Sequence, residues 1–151
     1  MPTISLHDLI PVLQVAIGPV ILISGVGLLL LTLTNRFGRA IDRSRQLAGE
    51  MSDASGAERA RLASQVEILY RRAGFIRLSV VMAAICLLLV ALLIIVLFLT
   101  ALLKIEAGPV IAGLFMTCMA SLIVSLGAFI KEIQLSLQAL KLELDHVRRS
   151  R

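Results

Sequence analysis

From Leu78 to Leu103 the chain carries no charge, no glycine and no proline, and Phe75 and Ile76 extend the apolar stretch across the single Arg77. A helix of that length, rising roughly 1.5 Å per residue, outruns a hydrocarbon core of roughly 30 Å. It has no polar face to show to water, so a buried helix in a soluble core is the poorer reading. The segment is expected to span a membrane, and lipid then becomes the solvent against which every other stretch is judged.

Composition agrees: 58% of the 151 residues are hydrophobic, well above the share in soluble domains. Only 4% are aromatic and Trp is absent, so interfacial anchoring falls to Arg and Lys. This profile suggests a small protein of the bacterial inner membrane. The formal charge of +5 does not point to nucleic acid, because the basic residues crowd the ends of apolar segments without interleaved aromatics. Cys86 and Cys118 both lie in apolar runs and read as small buried hydrophobes, with no disulfide or metal-ligand spacing. The opening residues lack the basic stretch of a cleavable signal, so the first apolar segment is expected to be retained.

The fold expected is an all-α membrane protein, one integral domain over residues 1–151, with three transmembrane helices extending into a cytoplasmic helical bundle. The first span, about 9–34, contains Pro11, Gly18 and Pro19. It is either one span bent near Val15 to Pro19, the preferred reading, or a short interfacial helix followed by a short span. Ser5 or Asp8 can cap it. Residues 35–75 read as a helical hairpin, with Phe37, Ile41 and Leu47 or Ala48 forming an apolar face in its first arm. Met51 to Gly56 makes the turn, and Leu62, Val66, Leu69, Ala73 and Ile76 lead without a breaker into the second span, about 76–103. Lys104 to Gly108 links to a third span, about 109–130, which Pro109 opens. Beyond it Ile130, Ile133, Leu137, Leu140, Leu144 and Val147 alternate by threes and fours, a heptad seam on a C-terminal helix of about 131–147.

Lys and Arg set the orientation. The hairpin with its flanks carries nine and the C-terminal helix with its tail five, against one in the second link and none before the first span. The N-terminus is therefore expected outside, with hairpin and C-terminus cytoplasmic.

Thr34-Asn35-Arg36-Phe37 closing the first span, the basic hairpin, and Glu132-Ile133-Gln134-Leu135-Ser136-Leu137-Gln138-Ala139-Leu140-Lys141-Leu142-Glu143-Leu144 after the third resemble a small bacterial inner-membrane family catalogued as a domain of unknown function. The resemblance covers nearly the whole chain. It implies the three-span layout and no chemistry.

No catalytic constellation is visible. His7 and His146 lie near opposite ends, no carboxylate pair falls within a span, and no phosphate loop or nucleophile motif occurs. The chain is not expected to be an enzyme or to hold a metal or cofactor. What remains are seams of small and polar residues. On the third span Gly113, Thr117, Ser121 and Ser125 recur every four residues and read as a helix-packing seam. On the first, Gln14, Gly18, Gly25, Thr32 and Arg39 share a face with Ile21, Leu28 and Asn35. Packing is the simpler reading of that face. Gathered around a symmetry axis, it would line a pore with polar mouths and apolar constrictions. Lys131 and Glu132 read as a helix-end anchor.

The expected partners are membrane lipids and further copies of the chain, with an ion as possible cargo, no nucleic acid and any protein partner unknown. Arg36, Arg43, Arg45, Arg71, Arg72 and Arg77 are candidates for anionic lipid headgroups. The two functional expectations are a homo-oligomeric channel-like protein lined by the first span and a non-conducting scaffold or accessory subunit acting through its basic bundle.

Overall fold

A computed structural model of the chain describes residues 6–149, without the side chains of 6–9, 12, 53, 57, 61 and 138–149. Several expectations lie outside what is described: the caps Ser5 and Asp8, the side chains of His7 and His146, and the outer half of the heptad seam at Leu140, Leu144 and Val147.

Among the described residues there are three helices: α1 (Leu6–Asp53), α2 (Ala57–Leu103) and α3 (Gly108–Arg149). Each contains a stretch long and apolar enough to cross a membrane. Helix α1 runs through Pro11 and Pro19 without interruption. Proline survives in such helices because packing and local adjustment satisfy the carbonyl left without its N–H.

The reversals are short because the backbone itself supplies the stops. Helix α1 continues through Met51, Ser52 and Asp53, so the first turn is tighter than the stretch from Met51 to Gly56. Gly56 adopts φ +63°, a conformation that favours a residue without Cβ. Its carbonyl accepts the Ala60 N–H at 3.3 Å, and Glu58 sits in the first turn of α2, where a negative charge suits the helix dipole. At the far end of α2, Lys104 takes φ +53° and the Ile105 N–H returns to the Thr100 carbonyl at 3.2 Å. The Ala107 carbonyl then accepts the N–H groups of Val110 and Ile111 at 3.0 and 3.1 Å. Pro109 thus occupies the first turn of α3, where a missing donor costs nothing.

Two compact units divide the chain: Met1–Leu31 with Val81–Val124, and Thr32–Val80 with Ser125–Arg151. In the first, the core holds Ala16 and Val26 of α1, Ala83, Cys86, Val90 and Leu93 of α2, and Cys118 and Ser121 of α3. The Ser121 hydroxyl donates to the Met82 carbonyl at 2.8 Å, and the Cys86 and Cys118 sulfurs lie 3.2 Å apart. Gly18, Pro19, Leu22, Leu93, Phe115 and Met119 border an apolar cleft of about 270 Å³ in this unit.

In the second unit the core holds Leu33 and Leu47 of α1, Ile76 and Ser79 of α2, and Ser125, Ala128 and Glu132 of α3. Leu47, not Ala48, takes the inner position at the end of the first arm. Ser79 and Ser125 grip each other reciprocally: Ser79 Oγ donates to the Ser125 carbonyl at 2.7 Å and Ser125 Oγ to the Ser79 carbonyl at 2.8 Å.

In each unit the buried residues where α2 faces α3 are mostly Ala, Ser or Cys. Side chains this small let two backbones approach until a hydroxyl reaches the opposite carbonyl. Hydroxyls away from this face return to their own helix instead, as Ser24 does to Val20 and Thr100 to Leu97. The close approach should be intolerant of bulk. Ala83→Leu is expected to cost about 1 to 3 kcal/mol, read as a lowered unfolding midpoint in detergent, while Leu at the neighbouring exposed Ala84 should leave it nearly unchanged.

Candidate functional site

The four-residue seam of α3 divides in the structure. Ser121 and Ser125 face inward and bond to α2, whereas Gly113 and Thr117 are exposed, with the Thr117 hydroxyl bonded to its own Gly113 carbonyl at 2.8 Å. A strict repeat of four precesses by about 40° per step around a helix of 3.6 residues per turn. The buried face of α3 instead alternates threes and fours, through Cys118, Ser121, Ser125, Ala128 and Glu132.

That alternation reveals a site which sequence reasoning missed. Lys131 is exposed, as a helix-end anchor should be. Glu132 is not an anchor: it is fully buried, seven residues beyond Ser125 on the same face. Arg72 of α2 donates from Nη2 to Glu132 Oε1 at 2.9 Å, and Arg36 of α1 places its Nη2 3.5 Å from Oε2. The Arg36 guanidinium also lies over the Phe129 ring, 5.2 Å from its centre, a separation suited to a cation–π contact. All three helices therefore contribute one charge to a single cluster.

Two cations answer one carboxylate, so the cluster keeps one formal positive charge. Arg36 and Arg72 retain 30% and 23% side-chain exposure, against 0% for Glu132. Buried without hydrogen-bond partners are Arg72 Nε and Glu132 Oε2. Glu132 Oε2 instead faces the Arg36 Nη2 at 3.5 Å, so Arg72 holds the carboxylate through one hydrogen bond rather than a bidentate fork. The signal in the sequence was the seven-residue step from Ser125 to Glu132, which extends the packing face past the apolar run.

The described part of the heptad seam, Ile130, Ile133 and Leu137, lies off the inward face for the same reason. Ile130 and Leu137 are exposed and Ile133 is half-buried, because Ala128 and Glu132 hold the inward face.

On α1, the first unit exposes Gln14, Gly18, Ile21, Gly25 and Leu28, and the second exposes Thr32, Asn35 and Arg39. A Cβ built on Gly18 or Gly25 would meet no atom within 4 Å. These positions flank the inward-facing Val26 and Leu33 and take no part in the protomer's own core. Of the remaining arginines, Arg43 donates to the Gln46 side chain at 3.0 Å, and Arg43, Arg45, Arg71 and Arg77 are all exposed.

Removing the buried carboxylate leaves two half-buried guanidinium groups without their counter-ion, at a cost of about 1 to 3 kcal/mol. Glu132→Ala is therefore expected to unfold the protein at markedly lower temperature or denaturant, and Lys131→Ala to be near neutral. Arg72→Ala should cost more than Arg36→Ala, since Arg72 makes the shorter bond to Glu132.

A family model described as "Protein of unknown function (DUF2721)" matches residues 16–142. No curated protein and no solved structure matches the chain.

Proposed function

The chain belongs to the DUF2721 family of proteins of unknown function, a membership that brings no activity with it, and from the geometry we propose a homo-oligomeric, channel-like membrane protein whose pore is lined by α1. The observation that carries this reading is the exposure of Gln14, Gly18, Gly25, Asn35 and Arg39 on a helix whose middle is otherwise apolar. Polar and glycine positions turned to lipid bring no gain there, whereas further copies of the same helix give them close contact and shared hydrogen bonds. Three spans enclose no pathway alone, so a pore requires symmetric closure around an axis. Ile21 and Leu28 then form apolar constrictions between an outer ring of Gln14 and an inner ring of Asn35 and Arg39, an arrangement suited to a narrow gated path.

In this reading the protein sits in a bacterial inner membrane. Its N-terminus lies outside, and the basic hairpin and C-terminal helix form a cytoplasmic bundle, in keeping with the concentration of Lys and Arg in those segments. Purified protein in liposomes should pass ions, and Leu28→Ala should raise the flux by widening a constriction. A well-folded oligomer that leaves liposomes electrically silent defeats the proposal.

A second reading has its own observation. Arg43, Arg45, Arg71 and Arg77 are exposed, unlike Arg36 and Arg72, which answer Glu132. Exposed basic residues near an anionic leaflet contribute about 1 kcal/mol each, so a non-conducting scaffold would bind anionic lipid or a partner through them. Reversing all four to Glu should then abolish binding to vesicles rich in phosphatidylserine while leaving assembly intact. If binding is unchanged, the scaffold reading loses its basis.

A further inference from the structure

We propose that Cys86 and Cys118 are a modification site: a dithiol that a small neutral peroxide converts into an intramolecular disulfide joining α2 to α3. The inference is independent of any conductance. Both thiols are free, fully buried and 3.2 Å apart, and the Cys118 sulfur also lies 3.7 Å from the Cys86 carbonyl. A disulfide needs its sulfurs at about 2.05 Å, so closure asks each side chain for a displacement well under an ångström. The surroundings allow it, since the layer on one side holds Ala83 and Ser121, small groups that do not wedge the helices apart.

The apolar location selects among the reactions open to two thiols. Bridging by a soft monovalent metal requires two thiolates and leaves net negative charge inside hydrocarbon, which is costly. The disulfide is uncharged and leaves no buried charge behind. Ionic oxidants are kept out by the same apolar surroundings, so the oxidant must be small and neutral, and hydrogen peroxide is both. One cysteine sulfur attacks a peroxide oxygen and the O–O bond breaks. That thiol's proton leaves with the departing hydroxide as water, and a sulfenic acid remains. The second sulfur then attacks the sulfenic sulfur, the S–O bond breaks, and the second thiol proton leaves with that hydroxide as another water. Two thiols are oxidised by two electrons, one peroxide is reduced, and one covalent link is made between helices otherwise joined here by hydrogen bonds and packing.

The test counts thiols on the wild-type chain in lipid nanodiscs. After hydrogen peroxide treatment and removal of the excess, the protein is unfolded in detergent and labelled with a polyethylene glycol maleimide. The untreated chain should take two labels. The treated chain should take none, run as a monomer without reductant, and regain both labels after dithiothreitol. Cys86→Ser and Cys118→Ser should each fail to form the reducible species. Two labels persisting at a dose that fully oxidises an exposed thiol, provided by Ser52→Cys combined with Cys86→Ser and Cys118→Ser, overturn the proposal. So does a reducible cross-linked dimer in place of the monomer, which would place the reacting partner in another copy.

Discussion

Two helices in lipid gain nothing by hiding apolar side chains from each other, because the hydrocarbon around them is just as apolar. The meeting of α2 and α3 therefore rests on proximity. Ser79, Ala83, Cys86, Cys118, Ser121 and Ser125 remove side-chain volume where the backbones meet, and the space gained is filled by hydroxyl-to-carbonyl bonds of 2.7 to 2.8 Å. The small residues are the condition for the bonds. With larger side chains on these faces the hydroxyls would fall back onto their own helices, as Ser24 and Thr100 do.

Helix α1 joins by different means. Its buried residues Ala16, Val26, Leu33 and Leu47 supply packing, and its charged contact is the approach of Arg36 to Glu132 and Phe129. A carboxylate beyond the reach of water needs cations at hand, and here they come from two other helices. Because directional charge pairs tolerate little sliding, Glu132 fixes the axial register of its unit more sharply than aliphatic contacts can.

Much of this was legible in the chain. The three helices followed from the lengths of uncharged runs, and their ends from Gly56, the Lys104 to Gly108 link and Pro109. The inward face of the second arm, through Leu62, Val66, Leu69 and Ala73, is at least half-buried as its spacing required. What escaped was phase. A repeat of four gathered Gly113 and Thr117 with the two serines, although only an alternation of threes and fours stays on one face over several turns. The same slip hid Glu132, which a residue-by-residue reading places beside Lys131 and a face-by-face reading places beneath Ser125. Its two cations lie 60 residues or more away along the chain, and no local pattern joins them. The approach of Cys86 to Cys118 was equally invisible, because their separation of 32 residues acquires meaning only once the hairpin's antiparallel register is fixed.

The order of the charges along the chain has a consequence for biogenesis. Synthesis delivers Arg36 first, Arg72 next and Glu132 last, and domains acquire structure from the N-terminal end as they emerge. When the carboxylate leaves the ribosome, both guanidinium groups have already been made. A chain truncated before α3 would hold two cations without the carboxylate that answers both of them in the finished fold.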